Sequence, residues 1–176
     1  MIKTILAPTD GSEHASKAVD LAADIAAKYN ARMVILHALL RHNSATEIKA
    51  LSDEFSIPGP LMEKLQELED SFLDVAASTY DAVPIAIPVP EAVLTDIGEI
   101  IAAKAKKLAE DKGVKDVAVK IIDASPTESI LAAAKHEKAD MIVMGSRGLS
   151  NFGGLLMGSV SHKVSHLATC TCVTVK

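Results

Sequence analysis

A chain of 176 residues is expected to fold as one domain, residues 1–176. Hydrophobic residues make up 49% of it and aromatics only 3%, with no Trp, so the core has to be aliphatic and alanine-rich, a composition for helices packed closely on a sheet. The net charge of −5, with no long basic run, excludes a nucleic-acid partner, and no apolar stretch approaches the roughly 20 residues that would insert in a membrane.

In chain order, MIKTILAPTDGSE reaches Pro8 and Asp10 too soon for a signal-peptide apolar region, which predicts a cytoplasmic protein. IKTILAP reads as a first strand. Asp10 stands where an N-cap is expected, with Glu13 three residues on, a variant of the capping box. Ala15, Ala18, Val19, Ala22, Ile25, Ala26 and Tyr29 then recur at spacings of three and four, one apolar stripe that Asn30 ends. RMVILHALL is the second strand.

About 75 residues separate it from the third, where a simple crossover needs about a dozen. ATEIKALSDEF is polar and mixed, and IPGP breaks it. Leu61, Leu65, Leu68, Phe72, Val75 and Thr79 predict a short helix with a narrow stripe, under three heptads and so expected to pack on the sheet or a neighbouring helix. VPIAIPVP, residues 83–90, carries three prolines and should be extended. A helix from about Thr95 to Asp111 leads to Gly113 and the third strand, DVAVKII.

SPTE follows, with Ser125 as N-cap, Pro126 at the first helical position and Glu128 completing a capping box; Ile130, Leu131 and Ala134 supply the buried face. ADMIVMG is the fourth strand, SVSHKVSHLA a helix and TCTCVTV the last strand. The five strands are mostly continuous apolar runs, which suits a sheet covered on both faces, and their alternation with helices predicts a doubly wound parallel α/β fold. Cys170 and Cys172 lack a zinc or C-x-x-C pattern and read as small buried hydrophobes. His14, His37, His136, His162 and His166 form no metal spacing: His162 and His166 are four apart, but Lys163 stands where H-E-x-x-H needs Glu, so they read as solvated or packed.

Five of the nine glycines fall in MGSRGLSNFGGLLMGSV, Met144–Val160, between the fourth strand and the helix after it. Ligands of open α/β sheets bind at the carboxyl ends of strands, near the switch point in strand order. A helix N-terminus there offers free N–H groups, and glycines let the backbone approach an anion. The segment has the parts of a phosphate cradle, but it is neither a P-loop nor a G-x-G-x-x-G fingerprint.

Its spacing, Gly145, Gly148 and then Gly158-Ser159, is G-2x-G-9x-G-[ST], and this resembles the ATP-binding signature of the universal stress protein family. ILAPTDGSEHASKAV, LHAL, ASPTESILAAAKHEKADMIVMGSRG and CTCVTV are similar to the family's pattern, although Thr171 stands where members often have proline. The resemblance covers residues 1–40 and about 98–176, and leaves a variable helical and Pro-rich insert at about 41–97. It implies an open five-stranded parallel sheet in the order 3-2-1-4-5 with helices on both faces, Rossmann-like and of the adenine nucleotide alpha hydrolase-like type.

By the same resemblance Asp10 accepts from the ribose hydroxyls, Pro8 and Thr9 wall the adenosine, and the backbone of Ala38 meets the adenine edge. Met144 and Gly145 flank the ribose. Gly148, Gly158, Ser159, Val160 and Ser161 bind the triphosphate, and Arg147 either pairs with a phosphate or is a solvated loop charge. Mg²⁺ or Mn²⁺ would come with the phosphates, since no protein cage for a metal is visible. The family also implies a homodimer through the C-terminal strand, whose apolar edge needs cover. The reading is an ATP-binding regulatory module of the stress response, with a further protein partner that the sequence does not name. The alternatives are a slow ATP hydrolase or a member that acts by protein–protein interaction without ATP. H-I-G-H and S-G-G-x-D-S, the marks of related nucleotide-using enzymes, are absent, and no general base is evident, so an enzyme is not expected.

Overall fold

The computed structural model describes residues 1–41, 43–51, 55, 57–78, 88–149 and 157–176, with 72–78 described by their backbone alone. The chain divides into two compact units, Met1–Leu39 with Ile101–Lys176, and Leu40–Ile100. The expected insert at 41–97 lies within the second.

The first unit holds a five-stranded parallel sheet in the order β3-β2-β1-β4-β5. Its strands are β1 (Thr4–Pro8), β2 (Arg32–Ala38), β3 (Val117–Ile122), β4 (Met141–Gly145) and β5 (Thr171–Val175). Helix α1 (Glu13–Tyr29) follows β1. The second unit contributes α2 (Ala45–Ala50), α3 (Gly59–Ser78) and the start of α4 (Glu91–Asp111), which the unit boundary divides between Ile100 and Ile101. Helix α5 (Pro126–His136) joins β3 to β4, and α6 (Ser159–Leu167) precedes β5. Among the described residues no helix is long and apolar enough to cross a membrane.

The strands read as continuous apolar runs because both faces are covered. In β1 and β2 odd positions, Ile5, Ala7, Met33 and Ile35, join Ala18, Val19, Ala22 and Ala26 of α1 and Ala105 and Ala109 of α4 in one core. Even positions, Leu6, Val34 and Leu36, join Ile142 and Met144 of β4, Ile130 and Ala133 of α5 and Val164 of α6 in the other. Small side chains on α1 allow close approach to the sheet. The stripe departs from expectation at its end: Tyr29 is 49% exposed and Ala23 is buried in addition. Asn30 ends the helix in the left-handed conformation (φ 50°), where its short polar side chain is tolerated.

Helix starts follow the geometry of the capping residue. Ser12, not Asp10, caps α1: its Oγ accepts from the Ala15 N–H at 3.3 Å. Gly11, at φ 87°, turns the chain between them, so the helix begins two residues later than expected. Ser44 caps α2 with a complete capping box to Glu47, a helix that the polar composition of ATEIKALSDEF concealed. Ser125 does occupy the N-cap of α5, with Pro126 after it, but makes no side-chain bond. Its ψ is 128°, against 160° and 164° at Ser12 and Ser44, and the predicted box with Glu128 does not form. Helix α4 starts at Glu91 rather than Thr95, which lies one turn inside it and donates from Oγ1 to the Glu91 carbonyl.

In the second unit Ala45, Ile48, Phe55, Leu61 and Leu65 are buried, and Lys49 pairs with Glu69 between α2 and α3. Leu61, Leu65 and the half-buried Leu68 begin the predicted stripe; the side chains of Phe72 and Val75, Thr79, and the prolines' stretch up to residue 87 lie outside the described residues. In the first unit Glu137, just past α5, is an ion-pair hub. Its carboxylate, 8% exposed, meets Arg32 of β2, Lys120 of β3 at 2.8 Å and the His136 ring at 3.0 Å, and these partners hold it down to about 2.

Candidate functional site

Strand order reverses at β1, with β2 on one side and β4 on the other, so the carboxyl ends of β1 and β4 flank the switch point. Pro8 and Thr9, both buried, and the half-buried Asp10 lie at the end of β1. Thr9 extends the ladder, its N–H donating to the Leu36 carbonyl at 2.8 Å, and its Oγ1 accepts from Gly11 N–H at 3.2 Å. The freed Asp10 carboxylate does two things. Oδ1 accepts from Ser12 N–H at 3.1 Å, an Asx-type turn, and Oδ2 accepts from Leu149 N–H at 3.1 Å. The second bond crosses the switch point, from the end of β1 to the glycine segment.

That segment is shaped by what it approaches. A Cβ on Gly145 would fall 2.8 Å from the His14 carbonyl carbon and 2.9 Å from the Ala15 nitrogen, so only glycine lets β4 end against the start of α1. A Cβ on Gly148 would overlap Oδ2 of Asp10. Gly158, the N-cap of α6, differs: its φ is −71° and a Cβ there would meet Arg147, Ser146 and Ser161 at an ordinary 3.5 Å. Among the described residues, no contact requires glycine at 158.

Ser146 organises the rest. Its N–H donates to the Val175 carbonyl at 2.7 Å, and its own carbonyl accepts from Gly158 N–H and from Ser161 Oγ, each at 2.8 Å. The start of α6 is thereby fixed beside the end of β4. The N–H groups of Ser159, Val160 and Ser161 open the helix, where no carbonyl four residues back within it can accept from them, and the N-cap, Gly158, has no side chain to cap them. Ser161 is buried and its hydroxyl proton points inward; Ser159 is exposed, and Arg147 is half-buried. Met144, 3% exposed, closes the apolar side below Gly145, and the half-buried Ala38 ends β2 next to Pro8 and Thr9. The structure thus gathers Pro8, Thr9, Asp10, Met144, Gly145, Gly148, Gly158 and Ser161 at the adjoining ends of β1 and β4, with Ala38 one strand away.

Four residues at this place carry no motif signal. Ser12 caps α1, Ser146 ties β4, β5 and α6 together, and Leu149 offers Asp10 a backbone N–H, for which no side-chain type is diagnostic. His37 is fully buried, with Nδ1 2.9 Å from the Thr9 carbonyl oxygen; burial pushes its pKa down against the opposing pull of Thr9 and Asp10. Its place inside an apolar strand was the one available hint. Cys170, just before β5, and Cys172, on that edge strand, are half-buried rather than buried, and partial burial pushes both thiols up. Among the described residues no group of three His, Cys, Asp or Glu could hold a metal ion.

An open, doubly wound parallel sheet with a glycine segment at its switch point is the arrangement of a class of α/β proteins that bind ligands at the carboxyl ends of their strands. Within that class a model of the universal stress protein family matches residues 1–176, and the chain belongs to this family. It is 29% identical over 177 residues to universal stress protein YxiE of Bacillus subtilis (strain 168), covering all of both chains. It is 32% identical over 168 residues to universal stress protein Rv1636 of Mycobacterium tuberculosis, covering 94% of this chain and 90% of the relative. Among solved structures it resembles a universal stress protein in complex with cAMP (TM-score 0.59, 22% identity, 99% of this chain and 96% of the other). It also resembles the Archaeoglobus fulgidus universal stress protein in complex with dAMP (TM-score 0.56, 14% identity, 100% and 98%). At these identities the two structures share the fold.

Proposed function

We propose that this protein is an ATP-binding regulatory module of the stress response, and that its nucleotide lies at the switch point between β1 and β4. The observation that carries the reading is the meeting of Asp10 with Gly148 and Leu149, which puts a carboxylate, a glycine-lined approach and the open start of α6 at one place. Family members that hold cAMP and dAMP support an adenine nucleotide as the ligand class.

The residues fit that group. An ionised carboxylate has about four lone-pair sites; two are taken by Ser12 and Leu149, and the remainder accept from ribose hydroxyls. Pro8, Thr9, Met144 and the Ala38 backbone border the nucleoside. The room left free at Gly158 lets a phosphate approach the N–H groups of Ser159, Val160 and Ser161, helped by the dipole of α6 and by Arg147. A Cβ at Gly158 would fill that approach while making only ordinary contacts with the described residues. Mg²⁺ or Mn²⁺ enters with the phosphates and shields their charge. No step of bond cleavage is assigned to the protein, and hydrolysis is at most slow. Because Ser146 bonds both α6 and Val175 of β5, nucleotide at the start of α6 biases the β5 edge, where a homodimer or another protein partner attaches.

Titration calorimetry with ATP, AMP and cAMP in the presence of Mg²⁺ tests the assignment. The expected order is ATP tighter than AMP and cAMP. AMP binding as tightly as ATP would show that the glycine segment and α6 do not hold the phosphate chain.

A further inference from the structure

The end of β1 is held from the side of β2 as well as from β4. Thr9 is tied to two consecutive residues of β2: its N–H donates to the Leu36 carbonyl at 2.8 Å, and its carbonyl faces His37 Nδ1 at 2.9 Å. A carbonyl oxygen can only accept, so Nδ1 carries the hydrogen, and the neutral ring presents Nε2 as a bare acceptor. Nε2 is buried and has no hydrogen-bond partner among the described residues. A buried acceptor left unpaired destabilises the fold, and an aliphatic side chain at residue 37 would avoid that cost. The imidazole makes one hydrogen bond in return, to the peptide that joins Thr9 to Asp10.

His37 shares the parity of Met33 and Ile35, which lie in the core beneath α1. The ring acts on the backbone of the site, through the Thr9 carbonyl.

We propose that His37 is a positioning residue for Asp10: as a neutral Nδ1–H donor it fixes the Thr9–Asp10 peptide and so aims the Asp10 carboxylate at Leu149 N–H and at a ligand's hydroxyls. The part concerning the ligand rests on the nucleotide reading above; the part concerning Leu149 stands without it. Two hydrogen bonds, His37 to the Thr9 carbonyl and Leu149 N–H to the Asp10 carboxylate, are linked through the Thr9–Asp10 peptide and join β2, β1 and the segment after β4.

Two measurements on the full chain decide it. Long-range ¹⁵N correlation spectra of the uniformly labelled protein at pH 7 should show a neutral His37 ring protonated at Nδ1 and bare at Nε2. The opposite tautomer, or an imidazolium, overturns the proposal whatever any variant does. Amide exchange and Mg-ATP titration are then compared in His37→Leu and His37→Asn. Asparagine places its carboxamide nitrogen where Nδ1 stands and still donates. In His37→Leu the protection of the Leu149 amide and the ATP affinity should both fall about tenfold, the scale of one lost hydrogen bond, while amides in the β1–β2 ladder change less. In His37→Asn both should stay within about threefold of the parent. Unchanged Leu149 protection in folded His37→Leu, or equal loss in both variants, overturns the proposal. The expected exchange result in a protein that binds no ATP would leave His37 as the positioner of Asp10 and remove the nucleotide reading instead.

Discussion

A methyl group on Gly148 would occupy the place of Oδ2 of Asp10, so Gly148→Ala should expel the carboxylate and remove its bond to Leu149. Gly158→Ala should cost the unliganded protein no more than about 1 kcal/mol, the N-cap preference for glycine over alanine, since its Cβ meets only ordinary contacts among the described residues, and should weaken ATP beyond that. Thermal unfolding with and without Mg-ATP checks both; a large loss of intrinsic stability in Gly158→Ala would contradict the assignment. Asp10 and Ser12 divide what the sequence seemed to give to one residue. Ser12→Ala should cost about 1 kcal/mol of stability by uncapping α1 and change ATP affinity little. Asp10→Ala should do the reverse, losing ATP with a smaller effect on stability. The same outcome in both variants would mean that cap and ligand contact are not separable. The residue types at this site were legible as a spacing of glycines and a carboxylate after a strand. The division of labour was not, because it depends on Gly11 at φ 87°, a conformation that the letters PTDGSE do not specify.

At the scale of elements, the strands were readable because burial on both faces writes itself as unbroken apolar runs, and α1 because alanines repeat at helical spacing. Helix α2 was missed because six residues carry too little periodicity, although Ser44 and Glu47 stood at capping-box spacing. The box at Ser125 and Glu128 was read and did not form: Ser125 stands at the N-cap without a side-chain bond. What anchors the end of α5 was likewise invisible: Arg32, Lys120 and Glu137 come from three distant parts of the chain. These partners place the folded-state pKa of Glu137 at about 2, below its ordinary value of 4.5. The stabilisation is therefore present above pH 4.5 and is lost as pH falls from 4.5 toward 2. Glu69 and Asp140 are lowered by their partners and act in the same direction. Glu137→Gln should reduce stability at pH 7 and flatten the acid limb of a plot of Tm against pH. An acid limb of parental steepness would show that Glu137 contributes little to it.

At the scale of the molecule, both sheet edges, β3 and β5, belong to the unit that carries the switch point. Edge strands invite pairing with another chain, and β5 shows exposed Thr171 and Thr174 beside half-buried Cys172, Val173 and Val175. If β5 forms the homodimer contact, Thr174→Lys should shift sedimentation toward the monomer while leaving ATP affinity within about threefold; an unchanged dimer would place the interface elsewhere. The site itself stands or falls on whether it holds a nucleotide. The most direct measurement is mass spectrometry of small molecules released on denaturing the purified protein, run with a Mg-ATP titration of the parent and of the Gly148→Val, Gly158→Val double variant. ATP should be carried through purification, or bound at micromolar affinity, by the parent, and neither by the folded double variant. An empty parent that ignores ATP, or a double variant that binds it as the parent does, would contradict the account.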